Sequence, residues 1–493
     1  MGKKKGKKRQ LNEAANNSPK KKRLEELQLP QIDDDYKDVE KWKEILQSGL
    51  KDIKPFPHWQ LKNFIKNSEN VVEEIEDELQ NFDGWHRKEN DLYSLWQTDD
   101  FKALEADQTP SLCKFREFFY GPVKKWLQEV SGVELLDQVD MNGSLYSHTD
   151  NLLPHNDLID TRRFAFVYYL VPFMWEETNG GELCLYNSDE NDQPTDIAVE
   201  LKPHRNSLLI FEVTHKSWHR VKEILTREDP RLSINGWFHS SRRLEAKSAP
   251  PAEISRFSQI DGEGDLSSWI DKRYLTDKSV KGQLAETFSD TSEIQLKNFF
   301  TDRGRKLLEE LKRLDFQERG PPNKRHSRCG DLQSGGAEFQ GLDRLLKSKP
   351  MATFLSEITG CELNDCHVSL SLSRLQTGSY TVLGDEDHEL ADKDGFILET
   401  HLFWADQEWP EKSGGDTIYV SKGDEEPLIT IHPDPFSANI VLREPEVLPF
   451  LKYTNSLAQG SFYQVTLTYY NVPIERENED EEEEQEENEE IEE

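Results

Sequence analysis

Apolar residues divide the chain into stretches of different texture. Between residues 57 and 135 they recur every three or four positions, as in HWQLKNFIKNSENVVEEIEDEL and PSLCKFREFFYGPVKKWLQEVSG. That spacing predicts mostly amphipathic helix. From about 136 to 240 the pattern shifts to short alternating runs, RRFAFVYYL and RLSINGWFH among them, broken by Gly, Asn and Pro. This predicts strands joined by turns. Residues 24–50 read as a charged linker running into a short helix, and 246–290 as a connector containing SAPPAEISRF and IDGEGDLSSW.

The first half then repeats. Gln60–Phe64 recurs as Gln295–Phe299, and WLQEVSGVEL at 126–135 resembles FLSEITGCEL at 354–363. ETNGGELCLY at 177–186 resembles EKSGGDTIYV at 411–420, and RLSINGWF at 231–238 resembles QVTLTYYN at 464–471. Four matches on nearly one diagonal point to a duplicated module. The expected order is a disordered basic arm and linker (1–50), a first module (51–245), the connector, a second module (291–473) and a disordered acidic tail (474–493).

Composition narrows the setting. The chain has 493 residues, room for more than one core, and 24 Phe, 14 Tyr and 11 Trp to fill them. No apolar run is long enough for a transmembrane helix and the start, MGKKKGKKR, is polar, so an intracellular protein with no membrane contact is expected. Five cysteines without zinc spacing suit a reducing compartment. The net charge is −34. Residues 1–23 carry ten Lys/Arg and one Glu in two clusters, a pattern like a bipartite nuclear import signal. Residues 474–493 carry fourteen Asp/Glu and one Arg, so the body between the two ends stays strongly acidic. Such a body repels nucleic acid and attracts basic partners.

The candidate chemistry lies in 146–239. His155-x-Asp157, the distal His219 in SWHRV, and Arg231 in RLSINGWFH have the makeup of a two-histidine, one-carboxylate iron(II) site with an arginine for a co-substrate carboxylate. A double-stranded β-helix, or jelly roll, is the economical barrel for it, giving an α+β fold with flanking helices. Alternation puts Ser233 on the same face as Arg231 and makes it a further co-substrate contact. His219-x-Val221 and the following strand read as one hairpin. Two ambiguities stand. His148-x-Asp150 competes with His155-x-Asp157, which is favoured because it leaves a short turn before the strand near Phe164. His215 competes with His219, which leads directly into the Val221 and Arg231 segment. On the repeat diagonal, His155 and Asp157 fall near Asp387 and Glu389, with His388 between them. His219 falls near Leu451–Lys452 and Arg231 on Gln464. The second module should therefore be a barrel without the metal site. The basic loop ERGPPNKRHSR at 318–328 has no assigned role.

Taken together, TDNLLPHND (149–157), RRFAFVYYLVP (162–172), GGELCLY (180–186), IFEV (210–213), WHRV (218–221), RLSINGWFH (231–239) and GPPNKR (320–325) resemble the ribosomal prolyl 3-hydroxylases. These are iron(II)- and 2-oxoglutarate-dependent oxygenases of the Tpa/Ofd type that includes sudestada. The resemblance runs from about residue 50 to 473. It implies two tandem double-stranded β-helix modules, the second non-catalytic. It also implies iron on His155, Asp157 and His219, settling the choice of H-x-D pair, and 2-oxoglutarate on Arg231 and Tyr169. Asn156 departs from relatives that often have Asp there. The implied substrate is a proline in a basic decoding-centre protein of the small ribosomal subunit, with dioxygen as co-substrate, L-ascorbate as the expected reductant and an effect on translation. Expected locations are nucleus and cytoplasm, with no direct nucleic acid contact. Two alternatives stay open: an oxidative demethylase of nucleic acid or protein using the same iron centre, and a scaffold whose iron senses oxygen.

Overall fold

The structure is a computed structural model and describes residues 28–66, 68–245, 264–331, 334–364, 366–383 and 395–473. The chain forms two compact units divided at Pro250/Pro251, with Pro321–Asn323 grouped with the first. Both are mixed α/β, built on curled antiparallel sheets of jelly-roll kind with helices against them, as the α+β reading expected.

Among the described residues the first unit has eleven strands: β1 (His58–Leu61), β2 (Trp85–Glu89), β3 (Tyr93–Thr98), β4 (Val139–Tyr146), β5 (Asn151–His155), β6 (Arg162–Tyr169), β7 (Leu183–Ser188), β8 (Pro194–Leu201), β9 (Ser207–Glu212), β10 (His219–Val221) and β11 (Arg231–His239). They pair in the order β1-β9-β6-β11-β4-β3-β5-β10-β7-β8, with β2 beside β3. The run RRFAFVYYL is apolar on both faces because β6 is covered on both. Phe164, Phe166 and Tyr168 pack with Phe115, Phe119 and Trp126 from the helical segments Pro110–Phe118, Phe119–Val123 and Lys124–Ser131. Ala165 and Tyr169 alternate with them and pack with Leu185, Phe211 and Val221 inside the barrel. Each such ring, fully removed from water, contributes about 1.5–3 kcal/mol.

Two readings of this unit are corrected. HWQL is strand β1, with burial alternating along it, and β2 and β3 lie in a region that reads as helix. His58–Leu61 pair with Leu208–Phe211, so a distant strand overrides a local helical pattern. The proposed hairpin is also absent. β10 pairs with β5 and β7, β11 with β4 and β6, and strands β4, β3 and β5 stand between them.

The second unit has β12 (Glu293–Leu296), β13 (Gln317–Arg319), β14 (Arg325–Gly330), β15 (His367–Leu375), β16 (Tyr380–Thr381), β17 (Phe396–Trp404), β18 (Thr417–Ser421), β19 (Pro427–Ile431), β20 (Ala438–Arg443), β21 (Val447–Leu451) and β22 (Phe462–Val472). The order β12-β20-β17-β22-β15 repeats β1-β9-β6-β11-β4 of the first unit. Part of the expected connector belongs here: Lys272–Thr276 and Lys278–Thr291 are helices, the second of which packs Phe288 into this core. The basic arm 1–23, the acidic tail 474–493 and Asp387–Glu389 lie outside the described residues.

Strand register corrects the repeat diagonal. In each unit a tryptophan N–H donates to the first carbonyl of a Gly-Gly pair: Trp175 to Gly180 at 2.9 Å and Trp409 to Gly414 at 2.7 Å. Counting from that anchor, Leu185 matches Tyr419. His219 pairs with Leu185 and Pro449 pairs with Tyr419, so Pro449 stands where the distal histidine would. Likewise, Ser233 pairs with Tyr169 and Gln464 with Phe403, which puts Phe462, not Gln464, at the place of Arg231. A Cβ on Gly181 would meet Arg231, and one on Gly415 would meet Phe462. A slip of two residues keeps every side chain on its own face, so alternation alone does not expose it.

Candidate metal and co-substrate site

His155 ends β5 and His219 opens β10, and the two are direct partners across the ladder. Their ring centroids lie 4.2 Å apart. Just past β5 the backbone of Asp157 enters the left-handed region, at φ 59°, a conformation Asp tolerates better than most residues. Its carboxylate then reaches both rings: Oδ1 is 3.5 Å from His155 Nε2, and Oδ2 is 3.5 Å from His219 Nε2. One ligand atom from each residue lies within 4.8 Å of the others, and among the described residues this is the one such group of three or more His, Cys, Asp or Glu.

The surroundings prepare these groups to bind a cation. His155 Nδ1 is 2.9 Å from the Leu153 carbonyl, and His219 Nδ1 is 2.8 Å from that of Ser217. A carbonyl only accepts, so each Nδ1 carries the hydrogen and each Nε2 presents a lone pair. Burial, helped by neighbouring His155, pushes the His219 imidazolium down to about 4, so this ring is neutral near pH 7. Burial works to raise the Asp157 carboxyl, but His219, His155 and Arg162 outweigh it and hold the group below the ordinary carboxylate range. Two imidazole lone pairs and one carboxylate form the donor set of a non-haem iron(II) site, so the residues fit the ion.

The competing residues are engaged elsewhere. Asp150 is buried and accepts from Arg87 Nη1 at 2.8 Å and from the Ser147 N–H at 2.9 Å, closing the turn before β5. His215 Nε2 donates to the Glu245 carbonyl at 2.8 Å.

Arg231, at the start of β11, is 1 % exposed. Its Nε donates to the Gly181 carbonyl at 2.9 Å, and its guanidinium lies 5.0 Å from the ring centres of both Tyr146 and Tyr169. Its Nη2 is 3.4 Å from the Tyr169 hydroxyl. Among the described residues no carboxylate pairs with it. A buried guanidinium without a counter-ion is costly, so the place suits an anionic ligand. Arg231 and the three triad residues line one cavity of about 420 Å³. Ser233 is buried and donates to Asn235 Oδ1 at 3.1 Å. There the wall itself is made by Asn235 and Ser144, joined by a 2.6 Å hydrogen bond.

Tyr146, Asn235 and Trp237 line the cavity without having been singled out in the sequence. Tyr146 was findable only through its pairing with Arg231 across β4 and β11. Asn235 and Trp237 share Arg231's alternation and could have been read from it.

Known proteins resemble most of the chain. Residues 141–239 match a family model described as the 2OG-Fe(II) oxygenase superfamily. Residues 261–480 match one described as oxoglutarate and iron-dependent oxygenase degradation C-term. The chain is 33% identical over 450 residues to the prolyl 3-hydroxylase OGFOD1 of Xenopus laevis, covering 83% of this chain and 85% of that protein. It is 30% identical over 488 residues to the Mus musculus protein of the same name, covering 84% and 87%. Among solved structures, a Pseudomonas putida prolyl-4-hydroxylase is similar at 18% identity, over 41% of this chain and 100% of its own, with a TM-score of 0.32.

Proposed function

This chain belongs to the OGFOD1 family of prolyl 3-hydroxylases, iron(II)- and 2-oxoglutarate-dependent oxygenases, and from that footing we propose that it hydroxylates C3 of a prolyl residue in a basic protein of the small ribosomal subunit. The observation that carries the proposal is the single cavity that holds the His155–Asp157–His219 cluster together with an arginine lacking a counter-ion. His155, Asp157 and His219 would hold the iron. Arg231, steadied by the Gly181 carbonyl and flanked by Tyr146 and Tyr169, takes the distal carboxylate of 2-oxoglutarate. When bound, the iron and its co-substrate supply the oxidation: one oxygen atom of dioxygen enters the C–H bond and the other leaves in succinate, with loss of carbon dioxide. Ascorbate is the expected reductant.

The protein supplies orientation and shelter. Trp237 lies six residues beyond Arg231 on the same strand face, about 20 Å along it. With Leu158 and Ile159 it gives the cavity apolar walls that suit a pyrrolidine ring. The net charge of −34 favours a cationic partner, by raising its encounter rate. The Lys/Arg clusters before residue 24 support import to the nucleus, alongside a cytoplasmic pool that meets ribosomal proteins as they are made and affects translation.

The test is mass spectrometry of small-subunit ribosomal proteins from cells with and without this chain. A proline that gains one oxygen only when the chain is present supports the proposal; the same modification persisting in its absence overturns the substrate. Replacing Lys20–Arg23 by alanine should shift a fluorescent fusion toward the cytoplasm, and an unchanged distribution would remove the import role.

A further inference from the structure

The second unit has its own cavity, of about 450 Å³, within the roughly 300–1,000 Å³ range of small-molecule pockets. It occupies the same place in its barrel as the triad cavity does in the first. Asn142, Ser144, Ala165, Val167, Asn235 and Trp237 line the first. Their register partners Ser371, Ser373, Glu399, His401, Thr466 and Thr468 line the second.

The two ends of this cavity have diverged in opposite directions. At the anchor end, Tyr146, Tyr169 and Arg231 are replaced by Leu375, Phe403 and Phe462, which pack with Trp409 into an apolar cluster. That end is filled. At the other end, apolar Ala165, Val167 and Trp237 give way to Glu399, His401 and Thr468. A site that had merely lost its metal has no physical reason to exchange apolar walls for buried polar ones, which are costly unless satisfied.

Charge is cancelled within this wall. Arg443 Nη2 donates to Glu399 Oε1 at 3.2 Å and the Tyr419 hydroxyl donates to Oε2 at 2.6 Å. His401 Nδ1 accepts from Gln464 at 2.9 Å, so its Nε2 carries the hydrogen and donates to the Tyr419 oxygen at 2.6 Å. The chain of donors closes with a neutral imidazole and a paired carboxylate. Glu399 is therefore not offered to a basic peptide, and the other charged wall residue, Arg319, has a partner of its own. Beside apolar Leu370, Leu448 and Phe450, and with the Gln464 N–H groups spent on His401 and Thr466, the polar groups that face the cavity are hydroxyls, from Ser371, Ser373, Thr466 and Thr468. These groups both give and accept hydrogen bonds and carry no charge.

We propose that the cavity of the second barrel binds a small, uncharged, hydroxyl-rich molecule of about hexose size, a sugar or polyol, without a metal. Water can also satisfy hydroxyls, so a cavity that holds only water is the outcome to exclude. The experiment is ligand-observed NMR and calorimetry on the full chain, with D-glucose and myo-inositol as neutral probes and 2-oxoglutarate as the anionic comparison. One neutral probe should saturate with a Kd of about 1 mM. Its binding should be unchanged in His155→Ala, weakened several-fold in the near-isosteric Thr468→Val, and lost in Ser373→Leu, which fills the cavity. The response to 2-oxoglutarate should depend on Arg231 and be unchanged in Thr468→Val and Ser373→Leu. No saturation by either neutral probe, or saturation that survives both second-barrel substitutions in a folded protein, overturns the proposal.

Discussion

Asp150 and Asp157 are the same side chain a short way apart, and their surroundings separate them. Asp150 spends its oxygens on Arg87 and a turn N–H, whereas Asp157 is turned by a left-handed backbone toward two imidazole lone pairs. Asp157→Ala should abolish iron binding and succinate formation together, since two ligands rarely hold a divalent ion in water. Asp150→Ala should keep the metal and lose about 1–3 kcal/mol of stability, from the lost Arg87 bond and the opened turn. Metal analysis alongside chemical denaturation separates the two, and the reverse pattern would return the site to the first H-x-D pair. Arg231→Ala should leave the iron in place and weaken 2-oxoglutarate by about 2–4 kcal/mol, because a buried carboxylate loses its partner. Equal affinity in calorimetry would place the anchor elsewhere.

At the scale of elements, the Gly180–Gly181 turn positions Arg231. Both glycines have positive φ, 71° and 75°. A Cβ on Gly181 would lie 2.6 Å from Ile224 and 2.9 Å from the Arg231 stem. Gly181→Ala should therefore raise the KM for 2-oxoglutarate while metal content stays near normal, a split that tests whether the turn acts through Arg231. An unchanged KM in a folded variant would show that the stem simply moves aside. The paired strands β5 and β10 play the corresponding part for the His–Asp–His cluster, since their register brings His155 opposite His219.

At the scale of the molecule, duplication has produced two barrels with different interiors. Metal analysis of the full chain should give about one iron per chain, because Pro449 and Phe462 stand at the positions of His219 and Arg231; two would mean a second set of ligands. The second barrel also predicts a pH dependence. Burial, with Arg443 adding to it, holds His401 below its ordinary 6.5, against the pull of Glu399. A histidine whose folded pKa is depressed binds its proton more readily unfolded, so its contribution is full above 6.5 and shrinks as pH falls toward the folded value. The stability advantage of the native chain over His401→Asn should thus narrow below about pH 6.5, measured by denaturation. A gap constant from pH 8 to 5 would remove His401 from the account.

The sequence by itself determined the candidate residue set of the first barrel. Two histidines, a carboxylate and a distal arginine are local strings of residue types, and RRFAFVYYL and RLSINGWFH carry their alternation openly. The duplication was legible for the same reason. Tertiary structure alone decided what depends on which strand lies beside which. HWQL became a strand through pairing with Leu208–Phe211. Tyr146 joined Arg231 through β4, and His219 and Arg231 parted onto strands that do not touch. The match of Arg231 to Phe462 instead of Gln464 belongs here too. The physical reason is common to all of these. Side-chain alternation has a period of two and is written along one strand, whereas register is a relation between strands, and a two-residue slip leaves the pattern along each strand unchanged.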